Sequence, residues 1–199
     1  QDPAAVVPLR SWVKDCSSPL GRMHAMYALD GLAALDETTL LSGLHDEHPQ
    51  VRRHALRLCD SMEYSPAIEQ RMVEMTEDES MEVRYQLAFA LAKTDGDVRV
   101  DSLARILSRD PNDRWIRAAV QTSIGEDAET LLSRLSQNDS FDGKSAEVFK
   151  KQLSTQIAAR ARNALSKGDE RTKKSVPATM ALRSPEAISH RQAVVAKYR

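Results

Sequence analysis

The chain has 199 residues, 41% hydrophobic and 29% charged, long enough to bury a sizeable core in one domain or a short array. No run of about 18 apolar residues is present to insert in a membrane, and Cys16 and Cys59 are too few for a disulfide framework or a zinc site. Residues 1–140 carry 15 Lys/Arg and 24 Asp/Glu while residues 141–199 carry 13 and 5, so an acidic body of net −9 precedes a basic segment of net +8.

Taken in chain order, Ala4 to Cys16 reads as the second helix of a unit whose first helix lies upstream. With Gln1 at the start and no apolar signal segment, this predicts a mature form or a fragment of a larger protein. A repeat then begins. The segments GRMHAMYAL, VRRHALRLC, VRYQLAFAL and IRAAVQTSI superimpose on Arg22, Arg52, Arg84 and Arg117, at intervals of 30, 32 and 33 residues. Apolar residues recur one before, three after and seven after each arginine, four apart and therefore on one helical face. Arg22 is the exception, with Gly21 before it.

Four places before each arginine sits Ser18, His48, Ser80 or Asp113, and three of these (not His48) are residues that cap helices well. Pro19 and Pro49 follow at the first helical position. A second apolar segment completes each unit: Leu40 to Leu44, Ile68 to Val73, Leu103 to Leu107 and Leu131 to Leu135. Turn formers such as Asp95-Gly96-Asp97 and Gly125-Glu126-Asp127 separate first from second segments. Sustained period-2 alternation is absent. The fold class is all-α, an α-solenoid of helix-turn-helix repeats over residues 1–140, in which stacking buries the stripe that no unit covers alone.

Residues 141–199 are expected to form a basic helical segment, a cap or a linker to a missing domain. Lys144 to Lys167 is one helix with a stripe of Val148, Phe149, Leu153, Ile157, Ala161 and Leu165, and a last helix starts at Ser184-Pro185.

His45-Asp46-Glu47-His48-Pro49-Gln50-Val51-Arg52-Arg53-His54-Ala55 resembles HEAT repeats of the short, bilin-lyase-like class, and the likeness covers about residues 4–137. The aspartate ahead of each arginine is part of it: Asp46 before Arg52, Asp78 before Arg84 and Asp110 before Arg117. The resemblance implies a ladder of such pairs linking successive units. Cys16 stands where an acid would precede Arg22, so a gap is expected at the N-terminal end. The stretch from Gly21 to Leu58, with VRYQLAFAL and Asp113 to Val120, is also similar to the HEAT section of large planctomycete-type exported proteins. There a dehydrogenase-like β-propeller precedes the repeats and a c-type cytochrome domain follows. That likeness implies the bacterial periplasm or cell envelope. No CxxCH occurs here, so no cofactor is expected in this chain and haem only in a neighbouring domain.

The chemistry-bearing residues read mostly as structure. His24 and His54 share one repeat position, which points to packing, and His45 and His48 form an HxxH with no second ligand pair. Trp115, in the first turn of its helix, is expected to pack against the preceding unit. Glu74, Glu77, Asp78, Glu79 and Glu82 form an acidic run between units. The acidic body opposes nucleic-acid binding. What remains is a non-catalytic protein-interaction or domain-spacing scaffold, whose partner is a protein or an adjacent domain of the same polypeptide. The alternatives are a structural module of a propeller–cytochrome redox protein and, more distantly, a bilin lyase. The candidate contacts on the second helices are Glu37, Glu69, Glu74, Asp101, Arg105, Glu129 and Arg134.

Overall fold

The computed structural model describes residues 3–137 and 141–166, and among these it contains ten α-helices and no strand. They are α1 (Val6–Asp15), α2 (Pro19–Gly31), α3 (Glu37–Leu44), α4 (Pro49–Leu58), α5 (Pro66–Glu74), α6 (Met81–Ala90), α7 (Gly96–Arg109), α8 (Arg114–Ser123), α9 (Ala128–Ser136) and α10 (Lys144–Ser166). The first helices of the units, α2, α4, α6 and α8, pack each on the next. The second helices, α1, α3, α5, α7 and α9, form the other layer; the turn that ends α5, Met75–Glu77, carries its packing onto α7. This two-layer array is the all-α solenoid. No helix among the described residues is long and apolar enough to cross a membrane.

The repeated stripe makes the core. Val51, Val83 and Ile116, then Ala25, Ala55, Leu87 and Val120, then Leu29, Cys59, Leu91 and Ile124 are all buried. Each helps close the gap between one unit and the next, where burying a Leu or Ile side chain stabilises by about 1.5–3 kcal/mol. The core takes in the second helices through Leu40, Ile68, Met72, Leu103, Leu107, Leu131 and Leu135. Gly43 lets three helices meet closely, since a Cβ there would run into Met26 Sδ and lie 3.0 Å from Ala55 Cβ.

Caps explain where the helices start. Asp36 accepts from Thr39 N at 2.9 Å and Asp113 from Trp115 N and Ile116 N at 2.8 Å, satisfying first-turn amides. Two caps depart from expectation. His48 caps α4 through Nδ1, which accepts from Gln50 N at 3.3 Å, whereas the Ser80 hydroxyl makes no capping bond. Asp78 Oδ1 accepts from Ser80 N at 2.9 Å instead, ordering the chain just before α6.

The stripe on α10 also differs from expectation. Ala146, Phe149 and Leu153 are buried, with Phe141 set edge-on to Phe149, while Val148 is 47% exposed and Ala161 is exposed. α10 packs on α9, and its burial fades along the helix, with Ile157 part-buried and Arg160 to Asn163 exposed. The side chain of Leu165 and the expected helix from Ser184 lie outside the described residues.

Candidate interaction face

The strongest recurring geometry is at the unit junctions. Arg22 Nε and Nη2 fork onto the two carboxylate oxygens of Asp46 at 2.6 and 2.8 Å. Arg52 holds Asp78 at 2.7 and 2.8 Å, and Arg84 holds Asp110 at 2.7 Å through both nitrogens. Each arginine also donates through Nη1 to a carbonyl six residues back: Cys16, Asp46 and Asp78 respectively, and Pro111 for Arg117. One side chain therefore ties its own junction to the next. This corrects the expected pairing: the aspartate six before an arginine offers that arginine its carbonyl, and its carboxylate goes to the arginine of the preceding unit. Cys16 serves Arg22 just as well, because only a main-chain oxygen is used, so no gap opens at Arg22. Of the four repeat arginines, Arg117 is the one that pairs with no carboxylate among the described residues.

The pairs are charge-assisted and nearly dry. Hydrogen bonding to Asp46 raises the Arg22 pKa above its ordinary value against the pull of burial, and Asp78 does the same for Arg52. For Asp78, burial favours the neutral acid, but the Arg52 fork, the Ser80 amide and the Arg52 and Arg71 charges together hold its carboxyl below the usual range.

At the other end of the helices a second, less regular set of links was not evident from the sequence. Arg99 donates to Thr94 O at 2.6 Å and pairs with Asp127 at 3.1 Å. Arg10 pairs with Asp36 at 2.8 Å, and Lys93 reaches the carbonyls of Asp60 and Met62. Asp36 and Asp127 both stand at the N-cap of a second helix, but the linear spacing to their arginines is irregular and gives periodicity no signal to read.

Two open clefts lie on the second-helix layer. One, about 490 Å³, is formed by α7 and α9 with Glu77 at its rim. Ala104 and Ser108 are in its wall, and Asp101, Arg105, Arg109 and Arg134 surround it. Asp101 pairs with Arg134 at 3.1 Å and Glu77 with Arg109 at 2.7 Å, so both ion pairs cross between elements. The second cleft, about 420 Å³, lies by the junction loops and is rimmed by carboxylates, Glu47, Glu74 and Glu79 among them, with Arg71 and His45. Glu77 lines both.

Of the candidate contacts, Asp101, Arg105 and Arg134 thus come together in one cleft and Glu74 lies in the other. Glu74 accepts from Arg71 at 3.1 Å, and that hydrogen bond keeps its carboxyl below the usual range. Glu37, Glu69 and Glu129 line neither cleft; Glu37 accepts from the Ser65 hydroxyl at 2.7 Å. Glu77 and Arg109 belong to the first cleft without having been singled out as contacts. The acidic run held Glu77, but its linear order says nothing of α7 lying beside it.

Residues 37–125 match the HEAT repeats family. The match covers α3 through α8, the stretch that carries the Arg52 and Arg84 rungs, and supports a HEAT-repeat domain there. No curated protein and no solved structure matches the chain. Within the repeat units His45 and His48 are spent on backbone, His45 Nδ1 donating to Leu41 O at 2.9 Å and His48 Nδ1 capping α4. Trp115 does not pack in a seam. It is 57% exposed beneath the Arg114 guanidinium, 4.5 Å from ring centre, because it sits next to the inward Ile116 on the outward side of α8. Cys59 is fully buried, its thiol pushed up to about 12 by burial, so it stays protonated and unreactive.

Proposed function

We propose that this chain is a non-catalytic protein-interaction scaffold whose working surface is the cleft-bearing layer of α5, α7 and α9. HEAT repeats are commonly interaction scaffolds, and the observation that carries the reading is the pair of adjoining clefts on one layer. Ion pairs between elements cross the first cleft, Asp101 with Arg134 and Glu77 with Arg109, so its charges already alternate in the free chain. The test is capture from an extract of the source organism on the immobilised chain. Wild type is compared with a cleft variant (Glu74→Lys, Asp101→Lys, Arg134→Glu) and an opposite-layer control (Arg57→Glu, Arg114→Glu). A stoichiometric partner lost by the cleft variant and kept by the control is expected. Equal retention by both variants overturns the placement of the surface.

The spacing form of the same role, between a propeller and a cytochrome in one polypeptide, rests on the sequence resemblance alone. The reading frame on either side of residues 1–199 tests it: a CxxCH shortly downstream with propeller-like strands upstream supports it, and further repeats alone overturn it.

A further inference from the structure

We propose that the α7–α9 cleft is the anchor of this face, and that it receives a carboxylate side chain from a partner segment that carries basic residues beside that acid, with Arg105 as the principal contact. The inference rests on the scaffold reading and gives the partner a chemistry. Three guanidinium groups surround the cleft, and two are already neutralised across it, Arg134 by Asp101 and Arg109 by Glu77. Arg105 lies between them on α7, four residues from both Asp101 and Arg109 and so on the same helical face. Among the described residues no carboxylate pairs with it, although it is a long cation at the mouth of a cleft of about 490 Å³.

The cleft suits one carboxylate rather than a bare charge. Ala104, 7% exposed, and the aliphatic stems of the arginines give its walls apolar character. A guanidinium there can fork onto a carboxylate and engage both of its oxygens, as a point charge would not. Both neighbouring arginines are held by their own ion pairs, which leaves Arg105 as the group free to turn toward a ligand.

Charge complementarity also selects the kind of partner. Residues 1–140 carry net −9, and the adjoining cleft, which shares Glu77, is rimmed by Glu47, Glu74 and Glu79. A polyanion lying along the layer would place its next phosphates against those carboxylates and be repelled. A peptide segment with an acidic anchor and neighbouring lysines or arginines satisfies both clefts at once.

The full 199-residue chain is titrated, by fluorescence anisotropy at low and physiological salt, with four labelled probes. Three are equal-length peptides: half glutamate and half lysine, all glutamate, and all lysine. The fourth is an oligothymidylate. The mixed peptide is expected to bind tightest. Arg105→Glu is expected to weaken the mixed and all-glutamate peptides by roughly tenfold or more, as truncated interfacial charge pairs do, while the melting temperature stays unchanged and all-lysine binding does not weaken. Arg105→Lys, which keeps the charge and loses the fork, is expected to fall between. Unchanged mixed-peptide affinity in Arg105→Glu overturns the proposal, and so does an oligothymidylate that binds as tightly as the mixed peptide. A partner captured from extract that is lost by the cleft variant but retained by Arg105→Glu overturns this inference and leaves the scaffold reading standing.

Discussion

Arg52 makes four hydrogen bonds with its five N–H donors: two to the carboxylate of Asp78 and two to the carbonyls of Asp46 and Glu47. Removing one partner leaves the other buried and unpaired, which costs more than the pair contributes. Asp78→Ala is expected to destabilise the chain by about 3–5 kcal/mol in urea unfolding, since it also strips the acceptor from Ser80 N. Arg52→Ala should cost a similar amount, and the double variant less than the sum. At a half-buried contact, His54 Nδ1 lies 2.8 Å from Tyr27 Oη across the α2–α4 seam. Burial, reinforced by the charges of Arg53, Arg57 and His24, holds His54 below the ordinary histidine value. The unfolded chain then takes up the proton first, so stability is full above about pH 6.5 and falls as the pH drops through that value toward the folded pKa. The urea midpoint should decline as the pH falls below about 6.5, and decline less in His54→Gln.

At the scale of one element, α2 ends in a turn whose chemistry the sequence hides. Ala33 has φ +54°, and the bonds Ala34 N to Leu29 O and Ala33 N to Asp30 O, both 2.8 Å, close the helix in a left-handed cap. Glycine is the residue such a cap favours, and alanine there carries a steric cost of about 1–2 kcal/mol. Ala33→Gly is therefore expected to raise stability by about 1 kcal/mol, read as a higher urea midpoint with unchanged slope. Alanine gives no hint of a turn, whereas Pro19, Pro49 and Asp113 announce their helix starts plainly. His48 was passed over as a cap because capping preferences rank side-chain oxygens and an imidazole nitrogen is an uncommon substitute. A place in the first turn suggests a seam for Trp115, but the register that buries Ile116 turns its neighbour outward.

Across the whole molecule the periodic part was legible, because burial in a stacked array forces the same side-chain types onto the same helical positions. On the first helices of the units all the repeated stripe residues but Gly21 are buried as the spacing requires. The direction of the rungs was not legible, since sequence distance favours the aspartate six residues away over one 24 or 26 residues ahead. Nor were the clefts, which depend on how α5, α7 and α9 lie side by side. Arg52 to Asp78 and Arg84 to Asp110 are both steps of 26 residues. Excising residues 53–84 therefore leaves Arg52 facing Asp110 across the same step, and the shortened chain is expected to fold to a helical, cooperatively unfolding species by circular dichroism. An excision a few residues out of register breaks the rung and should not. Because each arginine grips its own junction and the next, the rungs stand in series along the length of the molecule. Pulled from its two ends, the chain should lengthen as a ratchet rather than snap, giving way one repeat at a time in increments of roughly 100 Å of contour.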